Sequence, residues 1–495
     1  MKNNYLIQTF FLLFTIGAIE NVAQAQKTVV PISNRDTTSS FFSVKANDKL
    51  LATAAYKDIH YASFQQSGEV IITIQCTEEI KNFTISPLSK NIQGRILDKK
   101  NLCFRLAKPS YIVVKINNKE RLFLFAEELY KQDKQGWVSI ENYNADATGR
   151  DLSTVSIQQA INETAQKKQT LFFPAGIYKS GSLFIPSNAN IVLEAGALLK
   201  ASDEMTHFEI NGQRSRGFIN IINAENINIS GYGTIDGNGS VLRKKYEDKA
   251  RLRLLFLSNC KNISIQGVTH RDPGSWNTQV MYSDHIQFNA VKLLNDPALA
   301  NTDGFDPDAS SFVTIENCFA YCGDDNVAIK ITQQNGLRDS VSNIVVKGCV
   351  FLTRKSSLKV GTESRGVVMK NILFEDNDVI MSDRGMALYC SDGATYENIR
   401  YFNNRFEENY PDSKRMGIHF TINKRNPDSK EGVMKNIVVD KCTFYTDFPK
   451  PSEIAGLDDK HGVEVKISNL IIGQKRINTL AETNIKTTFA QVSLQ

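Results

Sequence analysis

Three aspartates in two short motifs could carry acid–base chemistry. The motifs are Asn301-Thr302-Asp303-Gly304 and Gly323-Asp324-Asp325, and 21 residues separate Asp303 from Asp324. Carboxyl groups that crowd together repel one another as anions, so the pKa of at least one of them rises. A protonated acid then stands beside an ionised base at neutral pH, which is the pair that glycoside cleavage needs.

The same residues admit other interpretations. Aspartate is common at the turns of repetitive β-proteins, and a cluster of three carboxylates also suits calcium, which prefers oxygen ligands. Asp324 and Asp325 are adjacent, so they can face one cleft only if the chain bends between them, and Gly323 suits such a bend. The spacing alone leaves catalysis and these alternatives equally open.

An internal repeat indicates the scaffold that brings the two motifs together. Its pattern is asparagine, apolar, any residue, apolar, and successive copies start 23 to 38 residues apart. Full copies begin at Asn190, Asn226, Asn262, Asn343, Asn371, Asn398, Asn436 and Asn469, and degenerate copies begin at His285 and Phe312. Residues two apart share one face of a strand, so stacked coils would bury a continuous core. We predict an all-β fold, a right-handed parallel β-helix over residues 136–480, with the acids on adjacent coils.

A small N-terminal β-sandwich is predicted before the repeat, over residues 26–130. Alternating apolar runs at 70–74, 111–116 and 121–125 are separated by turn-rich pieces. Residues 156–165 then show helical spacing, with Asp151 and Ser153 as candidate N-caps. We expect this helix to cover the N-terminal end of the β-helix and its unpaired strand edges.

The first 25 residues have the features of a secretory signal peptide. Lys2 precedes an apolar run from Leu6 to Ala18, and Ala23-Gln24-Ala25 supplies the small residues of a cleavage site. We therefore expect a secreted or periplasmic protein, cleaved near Ala25, with no later segment apolar enough to span a membrane. The net charge of +5 over 495 residues is too weak for a nucleic-acid footprint.

Eight cysteines remain after cleavage, and three of them share one place in the repeat. Cys318, Cys349 and Cys442 stand six positions after a repeat start, and Asn377 and Asn404 occupy the same slot. Neighbouring coils would stack these residues into a ladder, which is compatible with reduced thiols or with a disulfide. No CxxC pair or histidine cluster has zinc-ligand spacing, so we expect no metal, no cofactor and a monomer.

The acid motifs closely resemble those of glycoside hydrolase family 28, the polygalacturonase family. The similarity is carried by residues 301–308, which read NTDGFDPD, and residues 323–330, which read GDDNVAIK. Residues 140–145 and 172–178 resemble the opening of the family's β-helix, and the resemblance covers about residues 136–470. It implies an inverting hydrolase in which Asp324 protonates the leaving oxygen while Asp303 and Asp325 activate water.

Two departures from the family pattern bear on the substrate. Lys355-Ser356-Ser357 stands where the family usually has Gly-His-Gly, and Ala387-Leu388-Tyr389 stands where it usually has Arg-Ile-Lys. The Arg/Lys pair grips the galacturonate carboxylate, so its loss removes both donors for that group. We expect a polysaccharide or oligosaccharide substrate that is neutral, or at least not simple polygalacturonate. The sandwich before a β-helix and residues 359–364 also resemble glycoside hydrolase family 49, the dextranase and isopullulanase family, which acts on neutral α-glucans.

Further residues fall in the same column of the coil as the acids. We predict that substrate contacts come from Trp276, Asn277, Asn301, Lys355, Ser356, Lys359, Arg384 and Tyr389. Trp276 and Tyr389 could stack on sugar rings, with ordinary packing as the alternative. The two lysines and Arg384 could equally be solvated surface charges, and if they line the cleft, a sulfated or uronic sugar becomes possible.

Three functional classes remain in view at this point. The inverting hydrolase is favoured because both acid motifs occur in order on the expected scaffold. A polygalacturonase acting on pectin is an alternative within this first class. The second class is a β-helical polysaccharide lyase or epimerase, which would act on an acidic substrate. A carbohydrate-binding solenoid without catalysis would tolerate loss of Asp303, Asp324 and Asp325, and their presence argues against it.

Overall fold

The computed structural model describes residues 28–129, 133–210, 212–410, 416–448 and 450–495. The predicted signal peptide at 1–25 lies outside this part of the chain. Strands dominate, and none of the described helices is long and apolar enough to cross a membrane. Two helices are present in the described ranges, α1 at Thr154–Gln166 and α2 at Gly239–Tyr246, with short 3-10 turns beside them.

The N-terminal strands form two sheets packed face to face. The first sheet contains Thr28–Ile32, Thr37–Thr38, Ala54–Tyr56, Ile59–Ser67, Phe83–Ser86, Tyr111–Ile116 and Glu120–Glu128. The second contains Phe42–Ala46, Lys49–Leu50, Val70–Cys76, Gly94–Asp98 and Asn101–Leu106. Alternate residues such as Val70, Ile72 and Ile74 are buried between them, as period-2 patterning requires.

Three long parallel sheets then wind into a β-helix, as the repeat predicts. The repeat sheet contains Val138–Ser139, Thr170–Phe173, Asn190–Leu193, Glu225–Gly231, Lys261–Gln266, Asp284–Asn289, Ser311–Glu316, Ser340–Lys347, Val368–Glu375, Thr395–Phe402, Val433–Asp440, Val463–Ser468 and Ala490–Leu494. A second sheet, which faces the sandwich, contains Thr148–Leu152, Gly176–Ser180, Ala197–Ala201, Thr234–Asp236, Thr269–Arg271, Lys292–Leu294, Phe319–Cys322, Val350–Thr353, Asp378–Ser382, Arg405–Asn409, Thr443–Phe444, Ile471–Ile472 and Lys475–Arg476.

The third sheet, called the cleft sheet here, carries the acid motifs. It contains Leu183–Phe184, Gly217–Ile222, Arg253–Ser258, Thr278–Met281, Phe305–Asp308, Val327–Ile331, Ser356–Ser364, Arg384–Cys390, Met416–Ile422, Ser452–Ala455 and Ile485–Thr488. A small separate pair, Glu209–Ile210 with Gln213–Arg214, completes the strands of the described residues. The last sandwich strand ends at Glu128 and the first coil strand begins at Val138, so we propose the domain boundary between them.

Asparagine at most of the repeat starts is explained by the backbone conformation there. Asn262, Asn371, Asn398 and other repeat starts adopt left-handed φ angles of about 50–59°, which asparagine tolerates better than most residues. Their side-chain amides bond from coil to coil, for example Asn398 Nδ2 to Asn371 Oδ1 at 3.2 Å. The degenerate starts His285 and Phe312 share this conformation, and their rings stack at 4.8 Å in place of the amide bond.

The structure also tests the predictions about the cysteine ladder and about the helix before the β-helix. All eight cysteines are free, so the reduced-thiol alternative describes the ladder, in which Cys318 N–H points to Cys349 Sγ at 3.4 Å. The predicted helix is α1, and it packs on an early strand of each of the three sheets of the β-helix, namely Thr170–Phe173, Gly176–Ser180 and Leu183–Phe184. Ser153 occupies the N-cap position without a capping bond, and Asp151 lies in a strand, so its predicted cap role is wrong.

An aromatic cluster joins the sandwich to the β-helix. Phe123 and Phe125 from the sandwich lie 5.0 Å, ring to ring, from Phe319 of the second helical sheet. The cluster continues through Tyr111 and Leu294, all of them buried. Aromatic burial of this extent makes the two domains one packed unit.

We predict that Phe319→Ala destabilises the protein by about 3–5 kcal/mol, because it removes a buried ring from this cluster and leaves a cavity. Chemical denaturation measures the free energy of unfolding. Phe312→Ala is the matched control, since Phe312 is 49% exposed and its loss should cost less than about 1 kcal/mol. Equal destabilisation by the two variants would show that the domains do not depend on this contact.

Candidate active site

The three aspartates meet at the edge of the cleft sheet, in the turns that lead into the strands Phe305–Asp308 and Val327–Ile331. Asp303, Asp324 and Asp325 each place a carboxylate oxygen within 4.8 Å of the others. Asp303 ends a loop held by Asn295, whose amide donates to the Thr302 and Asp303 carbonyls at 2.7 and 3.2 Å. Gly304 N–H then donates to the Asp325 carbonyl at 2.8 Å, which connects the two motifs directly.

Gly323 is required by the packing around the acid pair. A Cβ atom there would lie 2.6 Å from Thr302 Oγ1 and 2.7 Å from the Leu299 carbonyl, distances that real side chains do not reach. The bare backbone lets the loop before Asp303 press against the chain just before Asp324. The adjacent acids therefore share one cluster, as the motif predicts.

Two lysines neutralise the buried members of the cluster. Lys330 Nζ lies 2.8 Å from Asp303 Oδ2 and 2.8 Å from Asp306 Oδ1, and all three side chains are buried. Lys359 Nζ lies 2.6 Å from Asp325 Oδ2, and Ser356 N–H donates to Asp325 Oδ1 at 2.8 Å. Both oxygens of Asp325 are thereby engaged. Asp303 Oδ1 is buried and has no hydrogen-bond partner among the described residues.

These environments give the carboxyl groups different pKa values. Burial, followed by repulsion from Asp303 and Asp325, raises the pKa of Asp324 to about 7. Burial also acts to raise the pKa of Asp325, but Lys359 and Arg384 outweigh it and hold that pKa below its usual value. Burial also raises the pKa of Asp303, against the opposing effect of Lys330. At neutral pH Asp324 can therefore keep a proton, and Asp325 is an anion.

The same arrangement bears on the calcium interpretation. The three carboxylates are close enough to hold a cation. However, the ammonium groups of Lys330 and Lys359 already supply positive charge at 2.8 and 2.6 Å. A divalent ion would be repelled by both, so the donor set fits acid–base chemistry better than a calcium site.

Five of the predicted binding residues surround the cluster. Asn301 N–H donates to Asp324 Oδ2 at 3.2 Å, and the Trp276 ring lies 3.7 Å from Lys330 Nζ. The Tyr389 ring lies 5.5 Å from Lys359 Nζ and 5.9 Å from the Arg384 guanidinium. Trp276, Asn301 and Tyr389 are only partly buried, so they remain candidates for contact with a sugar.

The other predicted binding residues have different surroundings. Asn277 and Ser356 have no exposed surface. Asn277 donates to Asn295 at 2.7 Å, and Ser356 Oγ accepts a bond from Arg384 at 2.9 Å. We therefore correct their role from sugar contact to support of the loop and of Arg384. The Lys355 side chain is exposed beside the cleft sheet.

Sequence reasoning did not identify several functional neighbours. Asp306 and Lys330 lie inside the quoted motifs, but only the fold shows that Lys330 bridges Asp306 to Asp303. His419 is two coils beyond Lys359 and lies in the same column, with Ala387 between them. Its Nδ1 atom lies 2.6 Å from the Tyr389 hydroxyl, and its Nε2 atom lies 3.3 Å from Glu453. The register of the coils was the missing signal.

Comparisons with known proteins agree with this geometry. The family profile described as "Glycosyl hydrolases family 28" matches residues 164–487. An endo-polygalacturonase of Pectobacterium carotovorum subsp. carotovorum is 29% identical over 285 residues, which cover 51% of this chain and 68% of that protein. An Aspergillus fumigatus protein named "Probable endo-xylogalacturonan hydrolase A" is 29% identical over 253 residues, 47% of this chain and 59% of that protein.

One structural likeness extends over both domains. Dex49A from Penicillium minioluteum superposes with a TM-score of 0.60 and 13% identity, covering 94% of this chain and 96% of that one. At this identity the likeness concerns the fold alone. It is consistent with the resemblance of the sandwich and β-helix to family 49.

We predict that Lys359→Met raises the pKa values of both Asp325 and Asp324, because it removes the cation nearest to Asp325 and one that also acts on Asp324. NMR of 13C-carboxyl-labelled aspartates follows the titrations, with assignments from single Asp→Asn variants. Lys370→Met, which removes an exposed lysine on the repeat sheet, should leave both values unchanged. An unaltered Asp325 titration in Lys359→Met would show that this ion pair does not set its charge.

Proposed function

The chain belongs to glycosyl hydrolases family 28, and on that premise we propose that it is an inverting hydrolase of a pectin-type polysaccharide or oligosaccharide. The observation that carries the proposal is the difference between the pKa values of Asp324 and Asp325. Asp324, with its pKa of about 7, keeps a proton that it can donate, while Asp325 is held as an anion. Glycosidic cleavage uses one carboxyl group in each state.

Each acid has a role in the proposed mechanism. Asp324 donates its proton to the glycosidic oxygen as the bond to the anomeric carbon breaks. Asp303, whose Oδ2 accepts a bond from Lys330, accepts a proton from the attacking water. Asp325 helps to hold that water and stabilises the positive charge that develops on the sugar ring.

The lyase alternative is less well supported. A lyase needs a basic group to remove a proton from the sugar, and the buried candidate is Lys330. Burial acts to lower the pKa of Lys330, but Asp303 and Asp306 outweigh it and keep the amine charged. A charged ammonium group cannot serve as that base.

The substrate proposal rests on the absence of the Arg/Lys pair that would bind a galacturonate carboxylate. Ala387 is buried and Tyr389 is uncharged, so neither can pair with a galacturonate carboxylate. Lys359 and Arg384 do line the cluster, but Lys359 is paired with Asp325 at 2.6 Å. Arg384 is bonded to Ser356 and lies 3.4 Å from Asp383. We propose a neutral or decorated pectic glycan in preference to simple polygalacturonate.

Two further points of the proposal concern the protein outside the cleft. We propose export to the periplasm or the medium, on the strength of the charged, apolar and small-residue segments in residues 1–25. We also propose that the enzyme acts as a monomer, since the acids and their lysines all come from one chain.

We predict that Asp324→Asn lowers turnover by about 10²–10⁴-fold, because the amide preserves the shape of the side chain but cannot donate the proton. Initial rates on the best pectic substrate measure the effect. Asp203→Asn, at an exposed position, is the matched control and should keep wild-type turnover. More than about a tenth of wild-type turnover in Asp324→Asn would contradict the assigned role.

We predict that the first-formed product has the inverted anomeric configuration. The 4.8 Å limit on the oxygen separations is shorter than the ~6.5–9.5 Å usual for inverting enzymes and near the ~5–5.5 Å of retaining ones. Product stereochemistry therefore separates water attack from attack by a carboxylate. Proton NMR of the anomeric signal at early times decides the matter, and net retention would contradict the water-activating role of Asp303.

We predict that polygalacturonate is cleaved at least about 10²-fold less efficiently than the best neutral or decorated pectic glycan at matched concentration. The reason is the loss of two charge-assisted bonds, each worth about 1.5–3 kcal/mol. The double variant Ala387→Arg with Tyr389→Lys should narrow the difference, with Tyr389→Phe as a control that adds no charge. Efficient cleavage of polygalacturonate by the unmodified enzyme would show that other residues recognise the carboxylate.

A further inference from the structure

A turn of the N-terminal sandwich reaches the β-helix close to the catalytic cluster. Lys57, between the strands Ala54–Tyr56 and Ile59–Ser67, places its Nζ atom 3.1 Å from Asp296 Oδ2. The same ammonium group lies 2.5 Å from Ser240 Oγ and 3.9 Å from Asp272 Oδ2. Ser240 also bonds Asp296 Oδ2 at 3.0 Å and bonds Asp272, so one cation and one hydroxyl join two acids.

Asp296 begins the segment that packs against the proton donor. The segment, residues 296–302, is fastened at its start by Ala298 N–H, which donates to Asp296 Oδ1 at 2.9 Å. At its end, Thr302 Oγ1 donates to the Leu299 carbonyl at 2.8 Å. The segment is therefore a compact loop that Asp296 anchors at its start and that Asn295 holds at its end.

The loop touches both the backbone before Asp324 and its carboxylate. A Cβ atom on Gly323 would meet the Asp296 carbonyl at 2.9 Å, as well as Thr302 and Leu299, so the loop lies directly on Gly323. Asn301 N–H donates to Asp324 Oδ2 at 3.2 Å. A displacement of the loop would thus move a hydrogen bond made to the reacting carboxyl group.

We propose that the N-terminal sandwich is a positioning element of the active site, and that Lys57 is its positioning residue. Lys57 holds Asp296, and through the 296–302 loop it holds Asn301 and Gly323 against Asp324. This inference rests on the proposed function, because it assigns Asp324 as the proton donor. It adds that the acid needs a residue from the other domain to be in place.

Electrostatics explain why Lys57 matters more than an ordinary surface lysine. The acids that face it are Asp272 and Asp296, with Asp236 and the cation Arg271 beyond them, and Arg271 is already paired with Asp236 and Asp36. Without Lys57, repulsion between Asp272 and Asp296 is no longer compensated. The structure can relieve this repulsion by protonation of Asp272, whose pKa burial and Asp236 already raise to about 6, or by movement of Asp296 and with it the loop. We infer that Asp296 moves.

The test compares three variants of the full chain. Lys57→Met removes the charge and keeps most of the side chain, and Lys57→Arg restores a cation. Lys115→Met is the matched control, because Lys115 also crosses the domain interface, 3.1 Å from Glu408, away from the cluster. Hydrogen exchange of peptides spanning 295–304, kcat and KM on the best pectic substrate, and Tm are measured for each.

We expect Lys57→Met to speed exchange in residues 296–302 and to lower kcat by about 10- to 100-fold, with KM changed less than about twofold. Lys57→Arg should restore most of kcat, and Lys115→Met should match the wild type in exchange and kcat even if its Tm falls. Two results would overturn the inference. One is that Lys57→Met behaves as Lys115→Met does. The other is faster exchange in Lys57→Met without a fall in kcat.

Failure of the proposed function gives a different result. If the wild-type protein hydrolyses none of the pectic or neutral glycans, the hydrolase assignment is rejected directly. The positioning inference is then judged by exchange and by carboxyl NMR of Asp324, neither of which needs a substrate. An Asp324 titration that is the same in Lys57→Met and in the wild type would overturn it.

Discussion

Burial of acids beside buried lysines is the constraint on which the rest of this site depends. Removing a carboxylate from water is costly unless an opposite charge and hydrogen bonds replace the lost hydration. Lys330 does this for Asp303 and Asp306, and Lys359 does it for Asp325, at distances of 2.6–2.8 Å. Asp324 is the member of the aspartate trio without a lysine within ion-pair distance among the described residues, and burial together with repulsion from Asp303 and Asp325 raises its pKa to about 7. The pairing thus explains both why the buried cluster is stable and why its carboxyl groups differ in protonation.

The β-helix makes this pairing possible because its coils fix the register. Strands in neighbouring coils pair residue to residue, so Ala328, Lys359, Ala387 and His419 follow one another in a single outward column. The asparagine ladder on the repeat sheet repeats the same turn in coil after coil. Side chains that are 30 residues apart in sequence are therefore held within bonding distance. The sandwich packs against a different sheet, where Phe123 and Phe125 meet Phe319.

Patterns that depend on local chemistry could be predicted from the sequence. The asparagine repeat indicated the coils because left-handed φ angles favour that residue. Gly323 beside its two acids marked a special position, which the structure explains by the lack of room for a Cβ atom there. Patterns that depend on coil register could not be predicted. Asn277 and Ser356 fall in the right column but lie beneath the surface, and Lys330 reaches Asp303 rather than solvent. Loop insertions of variable length hide the register until the coils are stacked, which is why His419 was missed.

The central claim is that burial and the neighbouring carboxylates keep a proton on Asp324, while the lysines pair with the other acids. The pH dependence of kcat tests this claim most directly. The account predicts a rate that falls with an apparent pKa of about 7 as Asp324 loses its proton. Because neighbouring carboxylates titrate together, this value belongs to the cluster as a whole. The fall in kcat should occur at higher pH in Lys359→Met, because this variant lacks the cation that favours ionised Asp324. A kcat that stays constant from pH 5 to about 9 would contradict the account, because no proton donor of the cluster would then be titrating in that range.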